Sequence, residues 1–320
     1  MPSTLSVAPW RVFAVEVRAL RRLSPSFLRV TFTGPDLDRF ADNGYDQRIK
    51  VALPRTGELA AELPDGPDWY QQWRAQPEET RCPIRTYTVR AVRPDAQEVD
   101  VDLVLHGDGG PATRWARRAR LGDRLALVGP DVGYDGVHGG IEFRPPTVGT
   151  LLLAGDETAA PAICAILERL SADARGHALI EVPEAGDTLP VTAPPGMTVT
   201  WLPRIGAAHG SRLTPTVATL AGELLPAALP ALTLASGGTP TVDSLADAMA
   251  ATVGSLADVD VDRDVLWEVP DVAPTAPLYA WLAGEAAVIR GLRRHLVAER
   301  GLDRSAVAFM GYWRLGRTAD

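Results

Sequence analysis

Cysteine is nearly missing from these 320 residues: Cys82 and Cys164 stand far apart, in neither a metal-ligand spacing nor a Cys-x-x-Cys pair. That excludes a disulfide scaffold and thiol redox chemistry, and leaves two structural thiols of a reducing compartment. Histidine is almost as scarce, with five residues scattered singly, so no metal centre is expected. Positive charge is not in excess either. A net charge of −8 argues against a nucleic-acid partner, which needs a dense basic face, although local arginine clusters still suit a small anionic ligand. No stretch reaches the roughly 18 to 20 apolar residues of a membrane span. The opening MPSTLSVAPWRVFAVEV lacks the apolar run and cleavage signature of a signal peptide. The expectation is a cytoplasmic protein without stable membrane association.

The chain does have length enough for two cores, and its grammar changes midway. Residues 12–17, 27–32, 47–53, 99–105 and 123–128 alternate apolar with polar residues and are separated by turn chemistry such as Thr33-Gly34-Pro35-Asp36. Short half-buried strands with one modest helix predict an antiparallel β-barrel over residues 1–145. After Arg144-Pro145-Pro146, residues 150–154 form an unbroken apolar run, followed by Ile163, Ile166, Leu167 and Leu170 at helical spacing. Further strands are read at 178–182, 198–202, 278–282 and 306–312, with a helix carrying Ile289, Leu292 and Leu296. Residues 146–320 therefore read as an α/β domain around a parallel sheet. Between Gly206 and Pro277 only two helices are legible, near 214–225 and 242–256, and this stretch reads as scaffold.

Four segments suggest a site. In Arg85-Thr86-Tyr87-Thr88-Val89-Arg90, strand alternation puts Arg85 and Tyr87 on one face and Thr86, Thr88 and Arg90 on the other. Tyr87 offers a flat ring and Arg85 a forked donor, suited to a planar group with an anionic tail. Alone, the hexapeptide is more simply an ordinary strand with an exposed arginine. The second segment, His106-Gly107-Asp108-Gly109-Gly110-Pro111-Ala112-Thr113, ends a strand and opens a helix, so its backbone N–H groups could cradle a diphosphate or merely cap a turn. The third, Gly155-Asp156-Glu157-Thr158-Ala159-Ala160-Pro161, is a strand–turn–helix nucleotide corner without the full GxGxxG fingerprint; its acids would repel a phosphate they faced, and Asp156 or Thr158 could simply cap the helix. The fourth joins Trp281-Leu282-Ala283-Gly284-Glu285 to Gly311-Tyr312-Trp313-Arg314, aromatics that could line a ring-binding cleft or plug the interdomain seam.

In this order, from about Trp10 to Gly316, the segments resemble the siderophore-interacting proteins, FAD-dependent ferric-siderophore reductases of the ferredoxin-reductase superfamily. The resemblance implies a six-stranded antiparallel FAD-binding barrel followed by a Rossmann-like NAD(P)H-binding domain. It implies that Arg85, Thr86, Tyr87 and Thr88 meet the flavin end of FAD, with Thr88 near N5. His106, Gly107, Gly109, Gly110, Pro111, Ala112 and Thr113 would hold its ribityl, diphosphate or adenosine end. Asp156, Glu157, Thr158 and Pro161, with Gly284 and Glu285, would form the NAD(P)H corner. Because Thr88 points away from Tyr87 in a regular strand, its role requires a bend there. Glu181 suits ribose hydroxyls and leans the expectation to NADH, whereas Arg204 suits the 2′-phosphate of NADPH. An anionic ferric siderophore calls for a basic patch, for which Arg314, Arg317, Arg48 and Lys50 are the candidates. No iron ligands are expected of the protein, and it is expected to be a monomer. Two rivals stay open: a general flavin oxidoreductase serving a protein electron carrier, and a non-catalytic siderophore-binding protein.

Overall fold

The computed structural model describes residues 7–105, 110–145, 149–225, 266–269 and 277–316. Six antiparallel strands close a barrel in the order β1-β2-β5-β4-β3-β6: β1 Trp10–Arg22, β2 Phe27–Thr33, β3 Arg48–Ala52, β4 Ile84–Arg93, β5 Glu98–Val104 and β6 Arg124–Pro130. The period-two pattern does what it predicts, since Phe13, Val30, Phe32, Ile49, Val51, Val99, Val101 and Leu127 fill the interior. The intervening acids of β5 are not simply solvated. Asp102 is buried under a bidentate pair with Arg29 (2.7 and 2.8 Å), and Asp100 lies under Arg93 (2.7 and 2.8 Å) and the Thr31 hydroxyl.

One helix of this half, α1 (Trp69–Ala75), has no counterpart in the sequence reading, because it buries no residue and so shows no apolar stripe. Its aromatics pack on one another, with Trp69–Tyr70 and Tyr70–Trp73 centroids 5.5 Å apart and Arg81 4.6 Å over Trp73. The anticipated helix, α2 (Pro111–Ala116), starts on a proline that supplies the required φ where no N–H partner is needed.

The second sheet has the order β10-β12-β11-β7-β8-β9. Its strands are β7 Thr150–Gly155, β8 Arg175–Val182, β9 Gly196–Pro203, β10 Trp267–Glu268, β11 Leu278–Glu285 and β12 Val307–Trp313. All pairs are parallel except β10 with β12, an antiparallel edge. Helices α3 (Ala160–Leu167), α4 (Leu213–Leu224) and α5 (Ala286–Arg293) cover the faces, and α5 continues into a π-helical turn, Arg294–Glu299. Chain order reverses between β7 and β11, so the carboxyl ends of those strands form the crevice where open α/β sheets take ligands. Residues 242–256, read as a helix, lie outside the described residues.

The two sheets share buried structure. Phe27 and Val104 of the barrel belong to the same apolar core as Leu153, Ile163 and Trp281. Asp187 accepts from Ser24 Oγ and Ser26 N (both 2.7 Å) and from Ser26 Oγ (2.9 Å). Asp46 accepts from the Phe143 amide and from Trp281 Nε1, each at 3.1 Å. Arg90, on the outer face of β4 as alternation predicts, grips both oxygens of Glu168 just after α3 (2.7 and 2.5 Å).

Candidate functional site

The site begins with a break in the barrel wall. Strand β4 pairs with β3 from Ile84 to Thr88, but with β5 only from Val89 onward, and its register slips between Val89 and Ala91. Beyond that point β5 leaves to pair with β2 alone, which leaves the Arg85–Thr88 edge open. A cavity of about 540 Å³ occupies the gap, and all four residues from Arg85 to Thr88 border it. Four consecutive residues cannot share one face of a strand; they meet the cavity together because it runs along the strand's unpaired edge. Thr88 itself is still regularly paired, opposite Arg48, and the irregularity of β4 lies beyond it, between Val89 and Ala91.

The other walls come from distant parts of the chain: Asp102 and Val104 of β5, Gly110, Ala112 and Thr113 at the start of α2, Thr158 and Pro161 at the β7–α3 turn. Trp267 of β10 and Tyr312, Trp313, Arg314 and Gly316 of the tail complete it. Thr86, Gly110, Ala112, Thr113, Pro161 and Arg314 thus border one cavity, whereas Pro111 does not. His106, Gly107, Gly109 and Arg317 lie outside the described residues. A larger groove of about 680 Å³ runs along β1 and residues 60–63, and it touches none of the predicted site residues.

Sequence reasoning missed Trp267, which follows a stretch with no legible period. The structure pins it by backbone pairing with Met310 and by stacking on Tyr312, with centroids 5.9 Å apart and an 18° tilt. Arg48 lies over the same indole and also pairs with Glu142, so this substrate candidate is already partly neutralised. Lys50 does not border the cavity; its ammonium donates to Thr86 Oγ1 at 2.7 Å, and burial, with Arg48 nearby, lowers its pKa.

The acidic corner faces inward. Asp156 Oδ1 accepts from Thr158 N (2.9 Å) and Thr158 Oγ1 (2.5 Å), and Oδ2 from Glu285 N and Trp313 Nε1, both at 2.8 Å. Burial, reinforced by Glu157, pushes the Asp156 carboxyl up to about 6. Glu157 is held by both Arg204 nitrogens at 2.7 Å. Glu285 caps α5 through Ala287 N (2.8 Å) and Val288 N (3.0 Å) and also takes Leu315 N (3.2 Å). Gly284 is required between them: its φ is +151°, and a Cβ there would stand 2.7 Å from Asp156 Oδ2. The acids that looked repulsive toward a phosphate are spent on amides and an arginine, away from the cavity. Asp156, Glu157 and His209 do place ligand-type atoms within 4.8 Å of one another, but the donors on Asp156 and Glu157 make this an ion-pair and capping cluster.

Glu181 and Arg204 are not offered to a nucleotide. Glu181 is fully buried, with its oxygens on the amides of Gly210 (2.7 Å), Arg212 (2.9 Å) and Leu213 (2.9 Å), where it caps the approach to α4. An acid at the end of the second parallel strand looks the same in sequence whether it binds a ribose or a loop.

The cavity fits a flavin nucleotide on its own chemistry. Tyr87 supplies a ring that burial keeps protonated, Arg85 and Arg314 supply cations, and the start of α2 brings backbone amides to the cavity with a glycine at its N-cap. Among the described residues, nothing hydrogen-bonds to the buried Tyr312 Oη.

Comparison with known proteins agrees. Residues 16–134 match the model of the siderophore-interacting FAD-binding domain, and residues 148–316 that of the siderophore-interacting protein. An uncharacterised protein of Mycobacterium tuberculosis is 34% identical over 96% of this chain and 92% of its own. Ferric vibriobactin reductase of Vibrio cholerae is 36% identical over 57% of this chain and 63% of its own. Among solved structures, a siderophore utilization protein from T. fusca superposes with a TM-score of 0.68 at 28% identity, covering 98% of this chain and 97% of that one. The siderophore-interacting protein SipS of Aeromonas hydrophila gives 0.64 at 28%, covering 96% and 93%. A ferredoxin reductase of carbazole 1,9a-dioxygenase, at 0.55 and 14%, shares the fold, covering 97% of this chain and 70% of that one. With matching models for both halves, an antiparallel barrel opened beside Tyr87 and a parallel sheet closing the gap, the chain belongs to the siderophore-interacting protein family, with an FAD-binding domain and a ferredoxin-reductase-like fold.

Proposed function

We propose that the protein passes electrons from NADH or NADPH to a ferric siderophore and so frees the iron. The observation that carries this reading is one cavity walled by Arg85 to Thr88 of the barrel and by Thr158, Pro161 and Trp313 of the sheet. FAD bound there supplies the conversion between a two-electron hydride donor and one-electron ferric iron. Tyr87 would pack against the ring system, Arg85 would meet a phosphate, and Ala112 and Thr113 would offer backbone amides to the diphosphate. Thr88, buried close to where β4 parts from β5, would stand beside the ring. Thr158 and Pro161 receive the nicotinamide nucleotide at the crevice between β7 and β11.

Iron needs no ligand from the chain, because hydroxamate and catecholate oxygens hold ferric iron far better than ferrous iron, and reduction loosens it. Arg314, with Arg48, provides the positive edge that draws an anionic chelate. Neither Glu181 nor Arg204 carries the choice between NADH and NADPH, since both are spent inside the fold. The relatives include an NADPH-dependent ferric-chelate reductase of Escherichia coli, 32% identical over 48% of this chain and 56% of its own.

Anaerobic reduction of the purified flavoprotein by NADH and NADPH in turn, followed by ferric hydroxamates and catecholates with a ferrous trap, tests the proposal. Bleaching of the flavin and stoichiometric ferrous iron are expected. Bleaching without ferrous iron from any chelate would move the protein to general electron transfer, and a colourless protein unable to bind FAD would end the reading.

A further inference from the structure

Three segments far apart in sequence meet on Asp156: its own β7–α3 turn through Thr158, the end of β11 through the Glu285 amide, and the end of β12 through the Trp313 indole. Asp156 is itself 3% exposed and does not border the cavity, whereas Thr158 and Trp313 both do. The carboxylate is saturated. Each oxygen already accepts two hydrogen bonds, so it has no free direction in which to receive a nucleotide hydroxyl.

Trp313 has other contacts, including His209 edge-on with centroids 4.7 Å apart. The 2.8 Å bond from Nε1 to a buried carboxylate is the contact that directs the indole toward Asp156 within its plane. Gly284 permits the arrangement, since any side chain there would enter the space of the Asp156 carboxylate.

We infer that Asp156 is a positioning residue, whose carboxylate sets the Trp313 indole as a wall of the cavity and so acts on the nucleotide half of the reaction without touching the nucleotide. This rests on the reductase reading for its kinetic consequence but not for its structural one. Substitution by Ala removes both oxygens, and with them the acceptor that holds the Glu285 amide and Trp313 Nε1.

The test uses the FAD-loaded protein as wild type, D156A, W313F and the double variant, each checked for a cooperative thermal transition. Acrylamide quenching of Trp313 is the difference between proteins with and without that residue, and its quenching constant is expected to rise at least twofold in D156A. Flavin reduction by the preferred nucleotide, followed in stopped flow, is expected to slow at least tenfold in D156A, by a similar factor in W313F, and no further in the double variant. Losses that multiply in the double variant, or an unchanged quenching constant in D156A, would overturn the inference. If D156A does not fold, W313F probes the same contact from its other end, and wild-type reduction kinetics in W313F would overturn it equally. A wild-type flavin that neither nucleotide reduces would sink the reductase reading, and the quenching constant would still decide the positioning role.

Discussion

Arg48 and Trp267, 219 positions apart, meet at the mouth of the cavity with the guanidinium carbon 4.3 Å from the indole centroid. The barrel's cation is thereby aimed by an aromatic that only the sheet's edge strand supplies. A contact of this kind is worth about 0.5–2 kcal/mol. Trp267→Ala should therefore loosen Arg48 and raise the KM for an anionic ferric chelate about three- to tenfold, while Trp267→Phe keeps most of the effect. Steady-state kinetics at two ionic strengths checks this, and equal KM values in all three proteins would refute it.

The floor residues should show themselves in cofactor affinity. Tyr87→Ala is expected to weaken FAD binding roughly 10- to 100-fold, the equivalent of about 1.5–3 kcal/mol of aromatic burial. Arg85→Ala should cost about tenfold through a lost charge-assisted contact. Titration of the apoprotein with FAD, followed by flavin fluorescence, gives both values.

Arg204 and Glu157 form a buried bidentate pair, and removing one partner strands the other charge. Arg204→Ala should destabilise the protein by about 3–5 kcal/mol. Its ratio of kcat/KM for NADH over NADPH should stay within about twofold of wild type, because the guanidinium is not available to a 2′-phosphate. Thermal melts and the two specificity constants test both halves; a large shift in the ratio would return Arg204 to the nucleotide site.

Two buried carboxyls set an unusual acid dependence. Asp46 and Asp156 are each pushed up to about 6 by burial. A folded-state value above the unfolded one means that the native state binds more protons, so their contribution to stability grows as pH falls through about 6 toward about 4 and is lost as pH rises back. His209, lowered by burial, works in the opposite direction near neutrality. In a His209→Gln background the urea midpoint should therefore rise between pH 7.5 and pH 5, reporting a gain in unfolding free energy of about 1 kcal/mol per carboxyl. Asp100 and Asp131, held below their usual range despite burial by Arg93 and by the Gly133 amide with Arg39, give up stability only at lower pH. A flat or falling midpoint over the upper window would contradict the assignment.

The fold was legible because its signals are local. Alternation in β1 to β6 and the apolar runs of β7 and β11 report burial that repeats along one strand. Helix α1 was not legible, since its aromatics pack on each other and produce no stripe. The cavity was half legible. Arg85 to Thr88 and the α2 start carry their chemistry in contiguous residues, whereas Trp267 becomes part of the site only through pairing with Met310. Glu181, Glu157 and Arg204 show the opposite limit. Their spacing matches a nucleotide corner, but whether a carboxylate meets a ribose or a loop amide depends on where the β9–α4 connection runs, which no residue near Glu181 encodes.

Strand β12 slides in parallel beside β11 and carries Tyr312 and Trp313, with Arg314 just beyond, to the cavity. During synthesis the barrel, with its Tyr87 floor, emerges long before that strand exists. Until β12 has been made, the cavity lacks Tyr312 and Trp313, and Trp267 lacks the Met310 backbone it pairs with. A chain truncated before β12 would leave the cavity open on that side, and weaker retention of FAD is the expected result.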